Sequence, residues 1–409
     1  MDNDIVELAH GIRLVHKQVS HTKIVNCGIM IDVGSRDELP MQQGLAHFWE
    51  HMAFKGTKKR KAFHILNSLD SVGGELNAYT TKEKICFYAS SLNVHFNKAV
   101  DLLVDITFDS IFPENQITRE KNVILEEMSM YQDNPEDAIQ DEFDQLVFSG
   151  HPLGNNILGT TDTVNSFEKS DFNKFIKCNL DSSGIVFSSV SNLPTKKVVK
   201  VIEKYIANLP NFNSDRSRQN FDSYLPKTKI LKKHIGQSHC GIGRDSYPIS
   251  SEMRLPFILL VNLLGGPAMN SRLNLGVREK YGFVYSIDAN YSPFTDTGLF
   301  NIFFATDNKH LNKCVQLVLK EMRLLKSKKL TTIQLHKAKE QLIGQLAMSE
   351  ENNSQLMLMM AKSLLDLGHI DTFDTIINKI RNISAEMVFE VANEMFDEHD
   401  LSFLYYKPI

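Results

Sequence analysis

The chain repeats itself once. CFYASSLNVHFNKAVDLLVDI at 86 to 106 and LFNIFFATDNKHLNKCVQLVLKEM at 299 to 322 share a strand-like run, a short polar turn and a helix-like run with Asn-Lys near its start. Before them, IVNCGIMIDVGSRDELPMQQGLAHFWEHMAF and SHCGIGRDSYPISSEMRLPFILLVNLLGG hold matching places, at an offset of a little over 210 residues. A period that long excludes a short-repeat solenoid and calls for a duplicated α+β unit. The 409 residues are also more than one ordinary core supports. The expectation is an N-terminal domain at 1–210, a linker at 211–226 and a homologous C-terminal domain at 227–409. The linker is drawn from LPNFNSDRSRQNFDSYLP at 209 to 226, which is polar and poor in aliphatics.

The copies differ in one helix. GLAHFWEHMAFKGT at 44 to 57 carries His47, Glu50 and His51, whereas its counterpart LPFILLVNLL has neither His nor Glu. Histidines at i and i+4 share a helix face about one turn apart, as two nitrogen ligands of a tetrahedral zinc require. Glu50, on the same face, is placed to take a proton from an activated water, which is the chemistry of an H-x-x-E-H triplet. A helix that merely buries two histidines is the other reading.

Zinc would need a third protein ligand. ENQITREKNVILEEMSMYQ at 114 to 132 reads as a long helix with apolar Ile117, Val123, Ile124, Met128 and Tyr131, and Glu120 and Glu127 lie seven apart on one stripe. Spacing alone leaves Glu120, Glu126 and Glu127 as solvated surface carboxylates.

H-x-x-E-H followed 76 residues later by a Glu inside E-x-x-V-x-x-E-E resembles the pitrilysin family of zinc peptidases. GGELNAYTTKEKICFYASSL (73 to 92), QDNPEDAIQDEF (132 to 143), GHPLGNNILGT (150 to 160) and RLNLGVREKYGFVYS (272 to 286) look like family signatures in family order, over nearly the whole chain. The resemblance implies two α/β-sandwich domains that form half of a clamshell. It implies one Zn2+ per chain on His47, His51 and Glu127, with Glu50 as general base and Glu120 as a supporting carboxylate on the ligand helix. It also makes Asn77, Ala78, Tyr79 and Thr80 an exposed edge strand to which an extended peptide adds by main-chain hydrogen bonds; read alone, they are an ordinary strand entry. Arg278 and Tyr285 match a pair that contacts substrate near the zinc, where a guanidinium and a phenol would share the charge of a developing oxyanion. Without the resemblance they are a surface Arg and a half-buried core Tyr.

The family places that pair on a different half of the shell from the zinc. A chain carrying both motifs therefore implies a homodimer with Arg278 and Tyr285 acting in trans, or a heterodimer with a related chain. The expected function is a zinc-dependent endopeptidase that hydrolyses peptides or unfolded polypeptides, bound extended inside a closed chamber. The alternative is a non-catalytic scaffold or partner subunit of a heteromeric peptidase of the same fold. Retention of every ligand and of the base favours the enzyme.

Composition closes other routes. Net charge is only -4 and no aromatic-studded basic stretch occurs, which argues against nucleic acid. Five scattered cysteines without a C-x-x-C pair argue against a disulfide framework or a thiolate metal site and fit a reducing compartment. The acidic start MDNDIVELAH is neither a secretory signal nor a transit peptide, and no 18-residue apolar run could span a membrane, so a cytoplasmic setting is expected.

The remaining segments are read from local pattern. GIRLVHKQV and KIVNCGIMIDVGS suggest a hairpin across SHT, with His10, His16 and His21 as ordinary strand or surface residues. KGTKKRKA reads as a solvated loop, with substrate steering as the other reading. FHILNSLDSV predicts a helix stopped by Gly73 and Gly74, and Ile85 to Ser90 a strand. Residues 93–111 and 114–149 predict helices broken at Pro113 and Pro135, and His151 a loop-fixing residue. A short helix at about 168–178, the strand GIVFSSVS and a helix at 195–208 complete the first unit, and GGPAMNSR at 265 to 272 reads as a turn.

Overall fold

Short β-branched runs build two sheets, seen in a computed structural model that describes residues 4–409; Met1–Asn3, where the first expected domain begins, lie outside the described residues. The first sheet comprises β1 (Asp4–Glu7), β2 (Arg13–Gln18), β3 (Ile24–Ile31), β4 (Glu75–Thr80), β5 (Ile85–Leu92) and β6 (Ile185–Ser191). Its order is β1-β2-β6-β3-β5-β4. The second comprises β7 (Thr228–Lys233), β8 (Ser238–Ser246), β9 (Val284–Pro293), β10 (Gly298–Thr306) and β11 (Ser402–Pro408), in the order β7-β11-β8-β10-β9. β2 runs parallel to β6 as β7 does to β11, and all other pairs are antiparallel. Apart from β1, the second order repeats the first strand for strand. The fold is the expected α+β arrangement of two homologous α/β-sandwich domains.

The expected hairpin between β2 and β3 does not form. β6 lies between them, parallel to β2 and antiparallel to β3. All seven residues of β6 are buried, as a strand covered on both faces must be, so the sheet interior is its place. β1, concealed in the sequence by its acidic flank, takes the outer edge. The helices are largely where periodicity puts them: α1 (Leu45–Ala53), α2 (Ala62–Asp70), α3 (Phe96–Phe108), α4 (Glu114–Asp133) and α5 (Pro135–Val147). A helix at Thr161–Ser166 has no counterpart in the sequence reading.

The domain boundaries need correction. One compact unit contains the described part of Met1–Ser129 together with Asn155–Arg218 and Met348–Thr372; the other contains Met130–Gly154, Gln219–Ala347 and Phe373–Ile409. The reason is burial. In the first sheet, alternate residues Val25, Cys27, Ile29 and Ile31 face the main core with α1 and α3, while Val15, Met30, Cys86, Val186 and Val190 face the other way. That second face is covered by the helix Asn353–Leu367 through Leu356, Met357, Met360, Ala361 and Leu364. Ser188 Oγ donates to Met357 O at 2.7 Å, Arg13 to Leu364 O at 3.0 Å, and Lys84 and Asp366 form a buried ion pair. In the other unit the same service is done by α5, whose Ala138, Ile139, Phe143 and Leu146 pack with Leu299, Leu404 and Tyr406. Each sheet therefore gains its outer helix from the half of the sequence that did not build the sheet.

The segment expected to be a linker contains no helix or strand, but it is not slack. Arg218 grips the buried carboxylate of Asp37 with two hydrogen bonds of 2.8 and 2.9 Å, and Arg216 and Arg218 both pair with Asp32, at 2.9 and 3.0 Å. Phe212 stacks on Phe108 with ring centroids 5.6 Å apart. Two guanidiniums thus anchor the loop that leads into α1.

Burial pushes the Asp32 carboxyl up, but Arg218 and Arg216 prevail and hold it below the ordinary carboxylate range. A depressed folded-state value contributes stability in full above the unfolded value, about 4, and that stability is lost as pH falls through the folded value. Urea unfolding between pH 6 and pH 2 should therefore show Asp32→Asn losing less stability below about pH 4 than the parent does. Parallel curves would mean the clamp contributes nothing there.

Candidate metal centre

α1 is a helix that cannot cap itself. Gly44, just before it, has φ +96°, and a Cβ there would collide with the carbonyl of Leu158, so only glycine fits. The cap comes from Glu38, whose Oε2 accepts from Gly44 N at 2.9 Å and Oε1 from Ala46 N at 2.7 Å. Burial raises the Glu38 carboxyl well above its ordinary value, against the pull of those two N–H groups. The loop GHPLGNNILGT braces the same spot, and just beyond it Thr163 Oγ1 donates to Gln43 O at 2.7 Å. Sequence reasoning missed Glu38; the only signal is an acidic residue upstream of a helix that starts after glycine.

One face of α1 is core: Leu45, Phe48, Trp49 and Met52 are buried, with Phe48 edge-on to Phe172 at 5.1 Å. The opposite face presents His47, Glu50 and His51, with the two imidazole centroids 4.5 Å apart. α4 answers with Glu127, whose carboxylate lies 3.8 Å from His47 Nε2 and 3.5 Å from His51 Nε2. Its neighbour Glu126 is exposed, a choice spacing could not make. Ile117, Ile124 and Met128 bury the α4 face beside it, whereas Val123 is exposed.

One ligand atom each from His47, His51 and Glu127 can be chosen so that all lie within 4.8 Å of one another. Tetrahedral zinc with nitrogen and oxygen ligands at about 2.0–2.2 Å sets them about 3.3–3.5 Å apart, so a small closure suffices. Burial lowers the His47 pKa to about 4, helped by His51 and opposed by Glu127. His47 is therefore neutral near pH 7 and needs to shed no proton to bind a metal. Hydrogen bonding from His51 holds Glu127 below its ordinary value against its burial, so the carboxylate is ionised near pH 7. Two imidazoles and one carboxylate form a donor set that suits zinc and leaves a position open.

Glu120 is buried behind the pair, 3.9 Å from His51 Nδ1 and 2.5 Å from Lys55 Nζ. Lys55 begins the basic run expected to be a solvated loop. The run is a loop with Lys58, Lys59 and Lys61 exposed, as expected, but Arg60 bonds Asp101 and the buried Asp105 of α3, and Lys58 pairs with Asp109 just past its end at 2.7 Å. Glu50 is raised by burial and accepts a 2.6 Å hydrogen bond from Thr80 Oγ1.

Thr80 ends β4, which lies at the sheet edge and, among the described residues, pairs only with β5. Alternation divides the four candidate residues there: Ala78 and Thr80 face α1, while Tyr79 packs with the cluster around Met357 on the other face and Asn77 is on that side too. Arg278 and Tyr285 lie in the other compact unit. Arg278 belongs to a π-helical turn, Asn274–Glu279, and its guanidinium is 5.9 Å from the Tyr285 ring centre. Tyr285, on β9, is 89% exposed and is no core residue. His151 fixes its loop, its ring contacting Gln219 O and accepting from Leu153 N, and His16 is buried between Ser189 O and Leu193 O.

Comparison with known proteins gives these likenesses. A family model described as Insulinase (Peptidase family M16) matches residues 13–161, and one described as Peptidase M16 inactive domain matches residues 166–342. The chain is 33% identical over 389 residues to an uncharacterized zinc protease of Bacillus subtilis, covering 95% of this chain and 94% of that one. With an uncharacterized zinc protease of Rickettsia felis it shares 32% over 398 residues, covering 96% and 95%. Among solved structures, a peptidase M16 inactive domain from Pseudomonas fluorescens superposes with a TM-score of 0.93 at 16% identity, covering all of this chain and 98% of that one. A protease from Helicobacter pylori superposes at 0.91 and 20%, covering 100% and 99%. Those two show the fold alone.

The cap supplies a test of how α1 is held. Glu38→Ala should lose roughly 1–2 kcal/mol of stability in denaturant titrations and bind zinc more weakly in chelator competition. Unchanged zinc affinity would show that the ligands are held without the cap.

Proposed function

The chain belongs to the insulinase family of peptidases, family M16, and on that footing we propose that it is a zinc-dependent endopeptidase acting on peptides or unfolded polypeptides in extended conformation. The observation that carries this reading is the convergence of His47, His51 and Glu127 with Glu50 on the same helix face. The scaffold alternative would predict lost ligands, and none is lost.

A zinc ion held by the three residues would polarise the scissile carbonyl and acidify a water. Glu50 takes the proton from the attacking water and returns it to the departing amine. Glu120 and Lys55 back the metal-binding imidazole of His51. The free edge of β4 offers main-chain donors and acceptors to an extended peptide, which suits varied sequences. Five free cysteines accord with a reducing, cytoplasmic setting.

A second copy of the chain completes the chamber and supplies Arg278 and Tyr285 in trans, where an exposed phenol and a guanidinium would share oxyanion charge. What supports this part is the resemblance of the motif and the exposure of Tyr285.

Hydrolysis of a quenched peptide should stop with chelator and return with zinc. Glu50→Gln should retain zinc yet lose roughly 100- to 10,000-fold in kcat, whereas Glu127→Ala should lose the metal as well; turnover surviving in Glu50→Gln would remove the base. Refolding a mixture of Glu50→Gln and Arg278→Ala chains should regain roughly a quarter of parental activity if sites are shared in a two-fold dimer. No recovery would refute the sharing.

A further inference from the structure

We propose that Thr80 is the positioning residue of the base, its hydroxyl fixing one oxygen of Glu50 so that the other is left to exchange the proton. This deepens the peptidase reading and rests on it. The hydroxyl donates to Glu50 Oε2 at 2.6 Å, and among the described residues no other hydrogen bond reaches that carboxylate. A carboxylate on a helix turns about its own bonds unless something holds it; here the holder stands on a different element. Because Leu76 and Ala78 pack into the core under α1, alternation sends the Thr80 side chain the same way.

The donor is itself held. Immediately after Thr80 the chain closes a turn, with Thr81 N donating to Lys84 O at 2.7 Å. Ser35 N donates to Thr81 O at 3.2 Å and Arg36 N to Lys82 O at 2.7 Å, tying the end of β4 to the loop that carries Glu38. One short loop thus sets both the start of the helix that bears Glu50 and the end of the strand that bears its donor. A peptide adding to the β4 edge uses main-chain groups, so the hydroxyl stays on Glu50 while substrate is bound.

The test compares Thr80→Val, which keeps shape and loses the hydroxyl, with Thr80→Ser, which keeps it, in the full-length zinc-loaded protein with a quenched peptide. Thr80→Val should lose roughly tenfold to a hundredfold in kcat, with KM and zinc content within about twofold of the parent, and Thr80→Ser should recover to within about threefold. A kcat for Thr80→Val within about twofold of the parent, a loss confined to KM, or a serine variant as impaired as the valine one would overturn the proposal. Crystal structures of the metal-free variants give a readout without turnover: the Glu50 carboxylate should leave its place beside residue 80 in Thr80→Val and keep it in Thr80→Ser. If the parent hydrolyses no peptide, the peptidase reading falls, and an unmoved carboxylate in Thr80→Val would sink the positioning claim separately.

Discussion

Two backbone N–H groups at the start of α1 find their acceptor in a side chain six residues upstream, and the candidate metal centre depends on that delegation. Gly44 is glycine because the Leu158 carbonyl fills the space of a Cβ, so the residue that would normally cap the helix has nothing to cap it with. Glu38 supplies both acceptors. Its loop is in turn fastened by Asp32 and Asp37 to Arg216 and Arg218, and by main-chain bonds to the turn after β4. Helix, edge strand and strap are therefore set by one short stretch, residues 32 to 38. An error of direction in α1 would move two imidazoles and a carboxylate together.

The parts of this arrangement that were legible in the sequence are those that local periodicity determines. His47, Glu50 and His51 share a face because helical spacing says so, and α4 and α5 part at Pro135 because proline cannot continue a helix. Glu127 could be picked out from its exposed neighbour Glu126 only through resemblance, since a helix surface alone does not reveal what stands opposite. Pairing across the sheet was harder still. β2 and β3 are adjacent in sequence, but β6 comes between them in the sheet, brought from about 160 residues downstream. Nothing local in the sequence encodes that insertion, nor the hold of Glu38 on a helix it does not belong to. The hold on the basic run is equally non-local: the partners of Arg60 lie on α3, some forty residues on, and that of Lys58 just past its end.

The two copies show what a duplicated topology keeps and what it gives up. Strand order and direction persist from β2-β6-β3-β5-β4 to β7-β11-β8-β10-β9. The ligand helix does not: its counterpart Arg254–Gly265 has neither His nor Glu and buries Phe257, Leu259, Leu260, Val261 and Leu264 in its core. A helix freed of a metal-binding face can be apolar nearly all round and serve as packing.

The helix Asn353–Leu367 has a consequence for biosynthesis. It covers a face of the first sheet, yet it is made only after nearly nine-tenths of the 409 residues have been joined. Until then Met30, Val186 and Val190 have no apolar cover from it. Emergence of the N-terminal half from the ribosome therefore cannot finish its own folding, and the nascent chain carries a sticky sheet through most of its synthesis, a natural point of attachment for chaperones.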